Sequence, residues 1–235
     1  MKELQTKIPS LSSNSFTLGV LLAIVGGFLD AYTFISRDGV FANAQTGNMV
    51  LLAVKASHAQ WQGALLHIPP ILAFILGVLV SEFFKIPHIR QVVHSYRRSI
   101  LIVETIVLIT VGFLPTSVPN IVVTVCIAFV SSLQISTFNK LDKWVYNSTM
   151  TTGNLRTATQ AAFLALKEHN EEAKKQFIEF FAIILAFLFG AFAGTFSTTT
   201  IGNRSIWIAS VVLVIALIMY HRDRGYISKS LLMNK

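Results

Sequence analysis

Charge is what this chain has least of. Only 13% of its 235 residues are Asp, Glu, Lys or Arg, about half the share of an ordinary soluble domain. Hydrophobic residues make up 53%, 18 of them Phe, and the mean hydropathy is +0.63. Too little polar side chain remains to coat a water-soluble fold, so the composition specifies an integral membrane protein. Cysteine is scarce as well. A single Cys126 excludes an intrachain disulfide, and its place inside an apolar run reads as a small core residue.

Chemistry-bearing patterns are missing too. The six histidines show no i,i+4 pair and no ligand spacing, so neither a metal nor a cofactor is implied. Gly-x-Ser-x-Gly, a Walker-type loop and His-Glu-x-x-His are all absent, and nothing in the chain supports an enzyme. The net charge of +8 points to nucleic acid only if the cations share a patch; here they fall between apolar runs. The basic segment 85–98 reads as a contact for anionic lipid and a topology determinant.

Six apolar runs approach the roughly 20 residues a membrane helix needs: 16–35, 68–84, 99–114, 120–138, 177–196 and 206–220. Proline sits at their ends, at Pro69-Pro70, Pro87, Pro115 and Pro119, where a missing N–H costs no helical bond. Between the runs lie two polar interruptions, each with Thr-Gly-Asn: Thr46-Gly47-Asn48 and Thr152-Gly153-Asn154. If both return to the side they came from, all Lys and Arg except Arg37, Lys55 and Arg204 face the cytoplasm with both termini. If both cross, the basic 85–98 loop moves outside. The positive-inside rule therefore favours six spans plus two short re-entrant or interfacial helices. The polar residues 1–15 carry no cleavable signal pattern and read as a cytoplasmic tail, with 16–220 as one membrane domain and 221–235 as a second tail.

The halves resemble each other. Asp30-Ala31-Tyr32-Thr33-Phe34 aligns with Gln134-Ile135-Ser136-Thr137-Phe138, and the Thr-Gly-Asn motifs align. Ile71-Leu72-Ala73-Phe74-Ile75-Leu76-Gly77 aligns with Ile184-Leu185-Ala186-Phe187-Leu188-Phe189-Gly190, in the same order. Repeats at about 16–115 and 119–220 hold three spans each, an odd number, so they enter from opposite sides. The expected fold is an all-α membrane protein with an inverted 3+3 repeat, an arrangement found in several secondary transporters.

The run Gly27-Phe28-Leu29-Asp30-Ala31, Gly39-Val40-Phe41 and Thr46-Gly47-Asn48-Met49, with Thr151-Thr152-Gly153-Asn154-Leu155, resembles the YoaK family of bacterial membrane proteins. The resemblance covers nearly the whole chain. It implies a compact multi-pass protein of unknown biochemical function. Ser132-Leu133-Gln134-Ile135-Ser136 departs from the family's small-residue and Gln-Asn-Ala pattern.

The candidate substrate-binding residues are Asp30, Asn43, Gln45, Thr46, Gly47, Asn48, Gln134, Thr152, Gly153 and Asn154. Thr or Asn can cap a short helix and leave backbone N–H groups facing a ligand; equally, such a cap can serve packing alone. Asp30 can bind a cation, carry a proton, or hold the 43–48 segment by hydrogen bonds. Asn139 and Asn147 join the polar lining. Glu104 reads as snorkelling to Arg97 or Arg98, with Glu82 and Glu179 likewise paired near span ends. The function these features point to is a small-solute transporter or channel of the bacterial inner membrane. The alternative is a non-transporting scaffold, sensor or partner-binding subunit, with Gly77, Gly190 and Gly194 packing helices or oligomers. Expected partners are membrane lipids, a small polar or anionic solute and a second copy of the chain, without nucleic acid.

Overall fold

The computed structural model describes residues 15–92 and 96–233; the first 14 residues of the expected N-terminal tail and residues 234–235 lie outside them. The described residues are 82% helical. In order come α1 (Phe16–Ser36), α2 (Gln45–Ser57), α3 (Trp61–Leu65), α4 (Ile68–Lys85), α5 (Pro87–Val92), α6 (Tyr96–Phe113) and α7 (Asn120–Thr137). A two-residue hairpin, β1 (Lys140–Leu141) with β2 (Trp144–Val145), pairs Lys140 with Val145. Then follow α8 (Thr151–Glu168), α9 (Glu171–Ile201), a 3₁₀ turn at Gly202–Ser205, and α10 (Ile206–Met233).

Local chemistry sets these boundaries. Ser15 caps α1, its Oγ accepting from Leu18 N at 3.2 Å. Pro69 and Pro70 occupy the first turn of α4, and Pro119 immediately precedes α7. Asn170 caps α9 by accepting from Glu172 N and Ala173 N, and Glu171 and Glu172 complement the positive end of that helix. Gly202, at φ +64°, ends it in a conformation other residues rarely adopt.

Four stretches are long and apolar enough to cross a membrane: Phe16–Ser36, Trp61–Lys85, Asn120–Thr137 and Glu171–Tyr220. The last is 50 residues and contains α9 and most of α10. The helix α6 carries Arg97, Arg98 and Glu104 and is not among the four. About two thirds of α1 and α7 is enclosed by protein (67% and 61%), against 28% for Trp61–Lys85 and 33% for Glu171–Tyr220. α1 and α7 are thus the inner helices. The outer ones turn Leu72, Leu79, Phe189 and Phe192 outward, each more than half exposed, as a lipid-facing surface permits.

Packing couples the two halves. α1 lies along α9, α4 along α7, and α6 against α10; α1 also meets α10 as α7 meets α6. The α1–α9 crossing is backbone on backbone: a methyl on Gly27 would overlap the Phe187 carbonyl oxygen, and one on Gly190 the Ile24 carbonyl oxygen. Gly77 meets the Ser132 hydroxyl and the Phe129 carbonyl oxygen of α7. Gly77, Gly190 and Gly194 all pack within the chain.

Two expectations are corrected. Glu104 does not snorkel; it is fully buried, and neither carboxylate oxygen has a hydrogen-bond partner among the described residues. Two turns into α6, about 12 Å from its start, the side chain is too deep to reach the helix end. Cys126 is exposed on α7 instead of lying in the core; a thiol is apolar enough for a lipid-facing position. Glu82 does pair with Lys85, at 2.5 Å, and Glu179 with Lys175, at 3.5 Å.

Candidate functional site: a cavity between two Thr-Gly-Asn segments

Each Thr-Gly-Asn asparagine clamps the backbone seven residues before it. Asn48 Oδ1 accepts from Phe41 N at 2.9 Å and its Nδ2 donates to Phe41 O at 2.8 Å. Asn154 Oδ1 accepts from Asn147 N at 3.3 Å and its Nδ2 donates to Asn147 O at 2.6 Å. A side-chain amide can make this two-way contact because it carries a donor and an acceptor side by side. The same amide thereby folds each chain segment back before its helix begins.

Different residues hold the backbone that leads into each helix. Asp30 Oδ1 accepts from Asn43 N at 2.7 Å and Ala44 N at 3.2 Å, just before α2. Before α8 that task belongs to Asn147, whose Oδ1 accepts from Thr149 N at 2.9 Å and Met150 N at 3.0 Å. Gln134, which aligns with Asp30, is buried on α7, and its Nε2 has no partner among the described residues.

Around α2 the polar side chains form one network. Thr33 Oγ1 accepts from Ala42 N, and Asn43 Nδ2 donates to Gly26 O at 3.2 Å. Gln45 Nε2 donates to Ala42 O, and its Oε1 accepts from Asn48 Nδ2. His67, fully buried before α4, places Nδ1 3.2 Å from Asn48 Oδ1. No sequence pattern marks His67, because its contact joins separate elements. Arg37 was also missed: it is buried, donates to Tyr32 Oη at 2.8 Å and Asn120 Oδ1 at 2.9 Å, and ties the end of α1 to the start of α7. A lone cation directly after an apolar run was the available signal.

A cavity of about 760 Å³ lies between the two helix entries. α1 contributes Asp30 and Phe34, the first polar segment Phe41, Gln45 and Thr46, the second Asn147, Thr149, Thr152 and Gly153, and α9 Phe187, Ala191 and Thr195. Of the ten candidate residues, Asp30, Gln45, Thr46, Thr152 and Gly153 line it. Asn43 and Asn48 are fully buried in the supporting network, and Gly47 packs against the Phe41 ring. Gly153, Asn154, Asn139 and Asn147 line a second cavity of about 420 Å³ with Glu82 and Tyr146. Among the described residues no group of three His, Cys, Asp or Glu could hold a metal ion.

The model of the family described as "Protein of unknown function (DUF1275)" matches residues 18–219. The chain belongs to that family. The match spans both Thr-Gly-Asn segments and the helices that carry the cavity. No curated protein and no solved structure matches the chain. A membrane protein of unknown function is what family and apolar helices together establish.

Proposed function

We propose that the chain is a small-solute transporter or channel of the cell membrane, with its polar site between the two Thr-Gly-Asn segments. The cavity of about 760 Å³, lined from both segments, carries this reading. Its size suits a small-molecule site. The proposed architecture is six spans, counting α6 and separating α9 from α10, with α2 and α8 as re-entrant or interfacial helices. The matched Asn48 and Asn154 clamps and the reciprocal α1–α9 and α4–α7 packing support an inverted 3+3 repeat. Cations gathered at 85–98 and 140–175 support cytoplasmic termini in a bacterial inner membrane.

The test is flux into proteoliposomes, measured for a panel of small amines, amino acids, sugars and carboxylates. Saturable flux is expected for at least one class. Gly153→Phe should reduce it, because a Cβ at Gly153 meets nothing within 4 Å and the ring has open space to enter at the cavity wall. Native flux equal to that of empty liposomes across the panel would sink the reading. The rival, a scaffold, sensor or partner-binding subunit, draws support from one observation: Asp30 and Asn48 both bond backbone of the first polar segment, as purely structural side chains do.

A further inference from the structure

The charge on the cavity wall carries the argument from a site to a class of solute. Asp30 is the one formally charged residue that lines the cavity; no Lys, Arg or His lies on it among the described residues. The side chain is 96% enclosed, because the residue is only 4% exposed. Its Oδ1 takes two backbone N–H groups, while Oδ2 has no partner and no cation pairs with it among the described residues. A carboxylate held out of water without a counter-ion is unfavourable until a positive charge arrives.

The walls point the same way. Phe34 and Phe41 stack with centroids 4.7 Å apart, and Phe187 lies on α9. Aromatic faces attract cations and accept an apolar body. An anion in the cavity would meet the Asp30 carboxylate, with no cationic side chain on the wall to offset it among the described residues. Resting on the site of the proposed function, we infer that the solute is a small organic cation, an ammonium on an apolar body, with Asp30 as its counter-ion.

Three probes of one shape test this: benzylammonium, benzyl alcohol and benzoate, titrated calorimetrically into the full chain in detergent. Benzylammonium should bind saturably and at least tenfold more tightly than either of the others. Asp30→Asn should weaken benzylammonium at least tenfold and bring it level with benzyl alcohol. Preference for benzoate, or an unchanged benzylammonium affinity in Asp30→Asn, overturns the cation assignment and leaves the solute site standing. Binding of none of the three overturns the assignment and counts against the solute site too. Should Asp30→Asn fail to fold, Gly153→Phe decides: weakened benzylammonium binding supports the cavity as its site, and unchanged binding overturns it.

Discussion

Replacing Asn48 by Ala removes four hydrogen-bonding contacts from a place water does not reach. The native amide satisfies Phe41 N and Phe41 O, accepts from or faces His67 Nδ1, and donates to Gln45 Oε1, all between 2.8 and 3.2 Å. Its residue is fully buried. Each lost bond is worth about 1 kcal/mol net, and buried groups left unpaired cost about 1–3 kcal/mol each, so Asn48→Ala should destabilise by about 3–5 kcal/mol. Asn154 makes two of these contacts and borders the second cavity, where water can replace them. Asn154→Ala should therefore cost only about 1–2 kcal/mol. Denaturant unfolding in detergent gives the totals. Hydrogen exchange at the Phe41 and Asn147 amides locates the damage, with Phe41 losing more protection. Equal costs for the two variants, or an Asn48→Ala effect below about 0.5 kcal/mol, would refute the reasoning, since that is the scale of a surface change.

Gly190→Ala should destabilise by about 2 kcal/mol or more, because its methyl meets the Ile24 carbonyl and helix backbones cannot give way cheaply. Gly153→Ala should be neutral or stabilise by up to about 1 kcal/mol, as the site is open and alanine favours helix; a thermal scan of both variants checks the contrast. Glu104→Leu should raise the unfolding midpoint, by about 1–3 kcal/mol in stability, because it removes a buried carboxyl that has no partner among the described residues. A lowered midpoint would show that the carboxyl is held by an interaction the helix packing does not reveal.

The parts of this fold that sequence makes legible are those with local causes. Prolines at 69, 70 and 119 fall at helix starts because a missing N–H is harmless there. The polar interruptions stand out because Asn and Thr break an apolar run. Glu104 and Cys126 were misplaced for a different reason. In a bilayer, lipid and protein interior are equally apolar, so hydropathy cannot tell the core-facing side of α6 or α7 from the lipid-facing side. The cavity was legible only in part. Its two polar entries appear in the sequence, but His67 against Asn48 depends on how α4 packs on α2. Alignment pairs Asp30 with Gln134, yet the task of holding the helix entry passes to Asn147, which sits beside its own helix instead of on the preceding span.

That exchange separates what Asp30 does for folding from what its charge is for. A neutral Asn147 oxygen holds the two N–H groups leading into α8 as the Asp30 oxygen holds the two leading into α2, so that task needs an acceptor and not a carboxylate. In Asp30→Asn the amide oxygen can accept from Asn43 N and Ala44 N as before. The lost attraction between charge and helix end is about 0.3–1 kcal/mol. Relief from enclosing an unpaired carboxylate is about 1–3 kcal/mol on the scale of buried polar groups. Against that relief, the amide's Nδ2 takes the enclosed place of Oδ2, where no partner lies among the described residues, so native chain and variant should differ by no more than about 1 kcal/mol. A charge that adds nothing to stability is available to a ligand. Denaturant unfolding of Asp30→Asn decides between the uses. An unchanged stability shows that the scaffold does not need the charge and leaves it to a ligand, whereas a loss beyond about 1 kcal/mol assigns it to the scaffold.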